Sequence, residues 1–375
     1  MKLAFCVFKY FPYGGMQRDF LRMLEHARNR GHRVTAYTGD WQGPVPPGLS
    51  VVPVAVKGVA NHRKHLNYYR ELRRLLLTDP PQLVIGFNKM PGLDVYYAAD
   101  LCLKERAAQR SPFYRLTPRY RLLEKFERAV FEPQAGVDVL LLTQAQGDAY
   151  RKQYGTPVAR LHVLPPDISA DRIMPAYDEA QRATARVELG LQRSDLFMLM
   201  LGSGFKIKGL DRALAAAAAL PREVRERLVF WVVGQDSPAH FPRLAKRLGL
   251  DGRIRFTGGR DDVPRLLLAA DLLVHPAYHE NTGTVLLEAM ACGLPVLVTD
   301  TCGYAEHVAR ADAGIVISSP FTQTALNAAM GTMLAPDAPR ADWGRKGIAY
   351  VHAIDTSARF ERALEVVERR AGGSR

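Results

Sequence analysis

The stretch ADLLVHPAYHENTGTVLLEA, Ala270 to Ala289, decides the fold. Leu272 to His275 is a short apolar run between Asp271 and Pro276, the pattern of a strand covered on both faces. A polar loop follows. From Gly283 to Cys292 the apolar residues return at helical spacing. The unpaired N–H groups of Gly283, Thr284 and Val285 at such a helix start form an anion site suited to a diphosphate. Glu280 stands in the loop before it and Glu288 lies inside the helix, eight residues on. A carboxylate only accepts hydrogen bonds, so two of them flanking a phosphate site suit sugar hydroxyls: Glu280 the sugar being moved, Glu288 a ribose. The plainer alternative, a loop acid and a solvated helix acid, fits poorly because Glu288 sits in an apolar run.

The same strand–loop–helix unit recurs outward in both directions. Leu3 to Phe8 reads as a buried strand, followed by a glycine-bearing loop and an amphipathic helix from Met16 to Arg30. Arg33 to Thr38, Val51 to Val56, Gln82 to Phe87, Val137 to Thr143 and Leu161 to Leu164 are further strands, with a basic helix over Arg63 to Leu77. After Pro165-Pro166 and a polar stretch through Asp178, the best linker, the alternation restarts. Its strands are Leu196 to Leu201, Val229 to Gly234, Ile254 to Thr257, Leu272 to His275 and Pro295 to Thr299. The expected fold is α/β: two Rossmann-like doubly wound domains, residues 1–165 and 166–354, with ligands in the cleft between them. A C-terminal helix near Ser357 to Arg370 completes the chain, and residues 355–375 are expected to pack back on the first domain.

Length and composition agree. A chain of 375 residues suggests two domains, and 47% hydrophobic with 24% charged residues excludes global disorder. The four cysteines, Cys6, Cys102, Cys292 and Cys302, show no CxxC or zinc spacing, which suits buried thiols in a reducing compartment. No histidine pattern has metal-ligand spacing, so no metal and no cofactor are expected. The apolar residues between Lys2 and Lys9 are too few for a signal peptide, and no run approaches a membrane span, so the chain is expected to stay in the cytoplasm.

The formal charge of +13 is unevenly placed. Residues 1–164 hold 25 Lys and Arg against 13 Asp and Glu, an excess of twelve; the remainder hold 26 against 25. Such asymmetry points to an anionic partner of the first half. Residues 101–132 concentrate it: eight basic side chains, among them Arg110, Arg115, Arg119 and Arg121, interleave with Phe113, Tyr114, Leu116 and other apolar residues. Basic, aromatic and amphipathic together read as an anionic membrane surface segment, with a solvated helix on its own domain as the alternative.

A second anion site lies at Leu201-Gly202-Ser203-Gly204-Phe205-Lys206-Ile207-Lys208-Gly209. Ile207 stands where a G-x-G-x-x-G motif needs its last glycine, so the dinucleotide fingerprint fails. A strand end with Lys208 suits a β-phosphate instead; a surface lysine is the alternative. A dinucleotide oxidoreductase is therefore disfavoured. A nucleic-acid binder lacks any recognition motif, and the paired carboxylates oppose it. A non-catalytic membrane adaptor would leave the second half unexplained.

The spacing of Glu280 and Glu288, with Ala289-Met290-Ala291-Cys292-Gly293-Leu294-Pro295-Val296 after it, resembles the retaining GT-B glycosyltransferases of family 4. Within them, the segments Phe5 to Phe20, Gly86 to Asp94 and His275 to Tyr278 resemble the lipopolysaccharide core glucosyltransferases. The resemblance implies transfer of a hexose, with glucose expected, from a UDP-sugar to an inner-core heptose of lipopolysaccharide. It places the enzyme peripherally on the cytoplasmic face of the inner membrane, with residues 101–132 as the membrane-facing part. Another anionic glycolipid acceptor, or an amino-hexose donor, stays open, because Asn281 and Thr282 replace small apolar residues beside Glu280.

By residue, the resemblance implies donor-phosphate and base contacts at Arg172, Lys208 and Arg260, although Ile207 replaces an arginine that the family pairs with the lysine. Gly14 and Gly15 are implied to let backbone approach donor or acceptor, Asp19 to lie at the sugar, and Asp100 to be a catalytic acid. Asp167 replaces a glycine after the hinge proline. The implied chemistry is front-face attack, in which the leaving phosphate helps deprotonate the acceptor and cationic groups stabilise the diphosphate. No side-chain nucleophile is demanded.

Overall fold

The computed structural model describes residues 1–12, 15–108, 110–168 and 178–373. Gly14 and Arg172 lie outside the described residues. The chain divides into two compact units, Met1–Pro165 with Ala358–Arg375, and Pro166–Ser357.

The first unit holds seven parallel strands: β1 Lys2–Val7, β2 Arg33–Thr38, β3 Ser50–Pro53, β4 Leu83–Gly86, β5 Val95–Ala98, β6 Asp138–Leu141 and β7 Leu161–Val163. Their order is β3-β2-β1-β4-β5-β6-β7. Residues of β1 alternate between two cores, Leu3, Phe5 and Val7 on one face and Ala4 and Cys6 on the other. Both faces are therefore dry, which is why the strand reads as an unbroken apolar run. One face is covered by Phe20, Met23, Leu24 and Ala27 of the helix Gly15–Asn29 and by Phe360, Ala363, Leu364 and Val367 of the C-terminal helix Arg359–Gly372. Arg30 joins those helices by donating to Glu361 and Glu368, at 3.0 and 2.9 Å.

The second unit holds β8 Leu196–Leu201, β9 Leu228–Val233, β10 Ile254–Gly258, β11 Leu272–His275, β12 Val296–Thr299 and β13 Gly314–Ile317. The order is β10-β9-β8-β11-β12-β13, again parallel. In each sheet the winding reverses once, between β1 and β4 and between β8 and β11. At such a reversal the loops leaving two neighbouring strands part to opposite faces, and ligands settle in the gap.

Two strands escape the sequence reading. Neither Val95–Ala98 nor Gly314–Ile317 is read as a strand. Each has four residues and opens beside an acidic or glycine residue, too little for a periodicity signal. Residues 101–132 form three pieces rather than one amphipathic stretch: the helix Leu103–Ala108, a 3-10 turn Pro112–Leu116, and the helix Pro118–Phe131. Thr117 caps the last, accepting from the Tyr120 N–H at 3.2 Å. Among the described residues no helix is long and apolar enough to cross a membrane, and no cluster of three His, Cys, Asp or Glu could hold a metal. All four cysteines are buried and unbridged.

Candidate active site

Lys208 and Glu280 are 72 residues apart in the chain, yet Lys208 Nζ donates to Glu280 Oε2 at 2.5 Å. Topology brings them together, because β8 and β11 are hydrogen-bonded neighbours and each residue lies in the loop leaving one of them. The two loops are locked to each other. The Tyr278 N–H donates to the Ile207 carbonyl at 2.8 Å. Gly209, at φ +77°, lies so close to β11 that a Cβ would stand 2.1 Å from the Pro276 carbonyl oxygen, so no other residue fits there.

Glu280 is fixed by its main chain. Its N–H donates to the Thr301 carbonyl and its carbonyl accepts from the Gly303 N–H, both at 3.1 Å. The helix Thr284–Ala291 begins three residues later on Gly283, whose φ of +83° brings it within 2.5 Å, measured from a built Cβ, of Cys302 Sγ. The first N–H groups of that helix have no intrahelical acceptor, and Thr284 and Val285 are half-buried there. Glu288 is half-buried on the same helix, while Leu286, Leu287, Ala289 and Met290 fill the core.

The electrostatics follow from packing. Burial alone would raise the Glu280 carboxyl, but the His275 ring and the Lys208 ammonium outweigh it and hold the pKa at about 2. Glu280 is thus a carboxylate at any physiological pH. His275, the last residue of β11, is completely buried. Burial pushes its pKa down, with Lys208 adding to that against the pull of Glu280, so the ring is neutral. Cys302 beside them is pushed up to about 12 by burial and stays a thiol.

The other expected residues are placed less compactly. Ile207 is exposed next to Lys208, and Lys206 points to solvent as well. Arg260, leaving β10, is tied to Asp262 by two hydrogen bonds of 2.7 and 2.6 Å. In the first unit, Gly15 is exposed at the start of its helix with open space over its Cα. Asp19 Oδ2 accepts from the Tyr97 hydroxyl at 2.7 Å and lies 3.5 Å from the buried guanidinium of Arg359. Asp100 is exposed just past β5, its carbonyl held by Tyr150 at 3.1 Å. Asp19 and Asp100 share no contact among the described residues.

Two groups with no assigned role in the sequence reading emerge. One is His275, passed over because histidines are tested there only for metal spacing; its signal is a histidine closing an otherwise aliphatic strand. The other is Glu127, which reads as one more charge in a basic segment but is fully buried against Lys89. Sequence offers no signal for it.

Comparison with known proteins identifies the family. Residues 14–167 match the glycosyl transferase 4-like domain and residues 181–350 match the glycosyl transferases group 1 family. The chain is 42% identical to the lipopolysaccharide glucosyltransferase WaaG of Escherichia coli K12 over 98% of both chains. A crystal structure of WaaG, a glycosyltransferase involved in lipopolysaccharide biosynthesis, superposes with a TM-score of 0.91, covering 97% of this chain and 99% of that one. A structure of Anabaena Alr3699/HepE in complex with UDP and glucose shares the fold at 18% identity and a TM-score of 0.74. The chain belongs to the group 1 glycosyltransferases and has the two-domain GT-B fold of that family.

Proposed function

We propose that the chain is a retaining glucosyltransferase that moves glucose from UDP-glucose to an inner-core heptose of lipopolysaccharide. The observation that carries this reading is the meeting of Lys208 and Glu280 at 2.5 Å beside the open helix start at Gly283. A cation, a row of N–H donors and a permanent carboxylate in one small site suit a ligand that is anionic at one end and rich in hydroxyls at the next. A sugar diphosphate is such a ligand. Lys208 and the N–H groups of Thr284 and Val285 would stabilise the diphosphate as it leaves, the kind of preorganised donor whose loss costs about 10²–10³ in turnover. Glu280 would hold the sugar hydroxyls, and Asp19 and Asp100 would serve the sugar and acceptor. The identity of donor and acceptor is supported by the end-to-end likeness to the E. coli lipopolysaccharide glucosyltransferase.

Peripheral attachment to the cytoplasmic face of the inner membrane belongs to the same reading. Phe113 and Leu116, on the turn Pro112–Leu116, are 77% and 60% exposed. Around them Arg106, Arg110, Arg115, Arg119 and Arg121 are exposed too. Exposed apolar tips and exposed guanidiniums in one segment suit shallow insertion into anionic lipid.

The test is a transfer assay on lipopolysaccharide truncated at the inner-core heptose, with a panel of UDP-sugars. Glucose transfer with retention of the α linkage is expected. Transfer of an amino-hexose alone, or only to a different glycolipid, would overturn the assignment.

A further inference from the structure

We propose that His275 is a positioning residue for Glu280: its Nε2–H takes hold of the carboxylate when Lys208 turns to the donor diphosphate. The inference rests on the reading of Glu280 as a ligand of the transferred sugar.

His275 is completely buried, and neither ring nitrogen has a hydrogen-bond partner among the described residues. Buried polar groups are nearly always paired, and an orphaned one is costly. A histidine that merely filled the core would be better replaced by another aliphatic residue, as at Leu272, Leu273 and Val274 before it. What the ring faces is informative. Nε2 stands 3.6 Å from Glu280 Oε2, just beyond hydrogen-bond reach. That is the same oxygen that Lys208 occupies.

The site as it stands is self-neutralised. The two residues that would bind opposite ends of a sugar diphosphate bind each other. When a diphosphate draws Lys208 away, Glu280 loses its one charged partner. Its main chain cannot follow, being held by Thr301 and Gly303, so only the side chain can adjust. A closure of about 0.7 Å brings Oε2 to normal hydrogen-bond distance from Nε2. The tautomer is set by the neighbour: a carboxylate has no proton to give, so a bare Nε2 would oppose lone pair to lone pair. The ring therefore carries its proton on Nε2. Being neutral, it orients Glu280 without a positive charge that would hold the carboxylate back from the sugar hydroxyls. Cys302, the other polar side chain against the Glu280 loop, remains a thiol directed to the Thr282 carbonyl at 3.3 Å.

The experiment measures the affinities of UDP and UDP-glucose for the full-length protein and for His275→Leu, His275→Gln and Glu280→Ala. UDP lacks the sugar, so the ratio of the two affinities reports on the sugar contacts, and Glu280→Ala shows the share that Glu280 has in them. His275→Leu is expected to weaken UDP-glucose about tenfold more than it weakens UDP. His275→Gln, whose amide nitrogen lies near the Nε2 position, should recover most of the loss. A merely structural role would lower both affinities together and gain nothing from Gln over Leu. If Glu280→Ala lowers the ratio while His275→Leu leaves it at the wild-type value, the positioning role is overturned and the sugar reading stands. If Glu280→Ala leaves the ratio unchanged, the sugar reading itself falls and this proposal with it. Should His275→Leu fail to fold, His275→Asn takes its place, because its amide cannot reach the Nε2 position.

Discussion

The molecule contains two lysine–glutamate pairs that look alike and differ in one respect. In the first unit Lys89 Nζ donates to Glu127 at 2.6 Å, and in the second Lys208 Nζ donates to Glu280 at 2.5 Å. Glu127 is complete. It also accepts from the Leu103 and Lys104 N–H groups at 2.8 and 3.1 Å and from the Tyr154 hydroxyl at 2.6 Å, and Lys89 donates further to the Leu101 carbonyl at 2.9 Å. Glu280 has Lys208 alone, with His275 out of reach and no donor on Oε1 among the described residues. The finished pair is a piece of architecture that starts the helix Leu103–Ala108. The unfinished pair is a binding site that awaits a partner.

The largest effect that would break this comparison is on stability. Lys89→Met leaves Glu127 in the core without its cationic partner and should cost about 3–5 kcal/mol in urea unfolding, with much of it restored by adding Glu127→Leu. Lys208→Met should cost less, because Glu280 is 23% exposed and water reaches it. Equal losses at the two sites would remove the distinction between them.

Acid sharpens it further. A carboxyl whose pKa falls from 4.5 to about 2 on folding contributes stability that is fully present above pH 4.5 and disappears as pH falls toward 2. The stability gap between the wild type and Glu280→Gln should therefore be constant near neutrality, at most about 3 kcal/mol, and shrink below pH 4.5. A gap that is flat down to pH 2 would show that His275 and Lys208 do not hold Glu280 ionised.

The smallest effect concerns the segment that the finished pair anchors. Arg119→Glu with Arg121→Glu should weaken binding to vesicles containing anionic lipid by at least roughly thirtyfold, at about 1 kcal/mol per arginine removed, and salt should weaken the wild type too. Unchanged binding would leave the exposed arginines without a membrane role.

These contrasts also show what was legible in the sequence. The strand–helix alternation was, since a strand buried on both faces writes an apolar run. So were the places of Lys208, Glu280 and Gly283 between a strand and the next helix, and of Glu288 within that helix. The convergence of Lys208 with Glu280 depends on β8 lying beside β11, a matter of strand order that local pattern does not carry. Arg260 reads as a donor contact, and its pairing with Asp262, two residues on, is a matter of side-chain geometry that the sequence does not carry. Glu127 and His275 were illegible for a common reason. Their meaning lies in how many partners they have, and partners are set by tertiary packing.

The most direct test of the central claim is the rate of glucose transfer from UDP-glucose to heptose-terminated lipopolysaccharide by Glu280→Ala, with folding verified by its circular dichroism. A carboxylate that holds the transferred sugar predicts a loss of at least about a hundredfold in turnover from a protein that remains folded. Turnover within a few-fold of the wild type would contradict it.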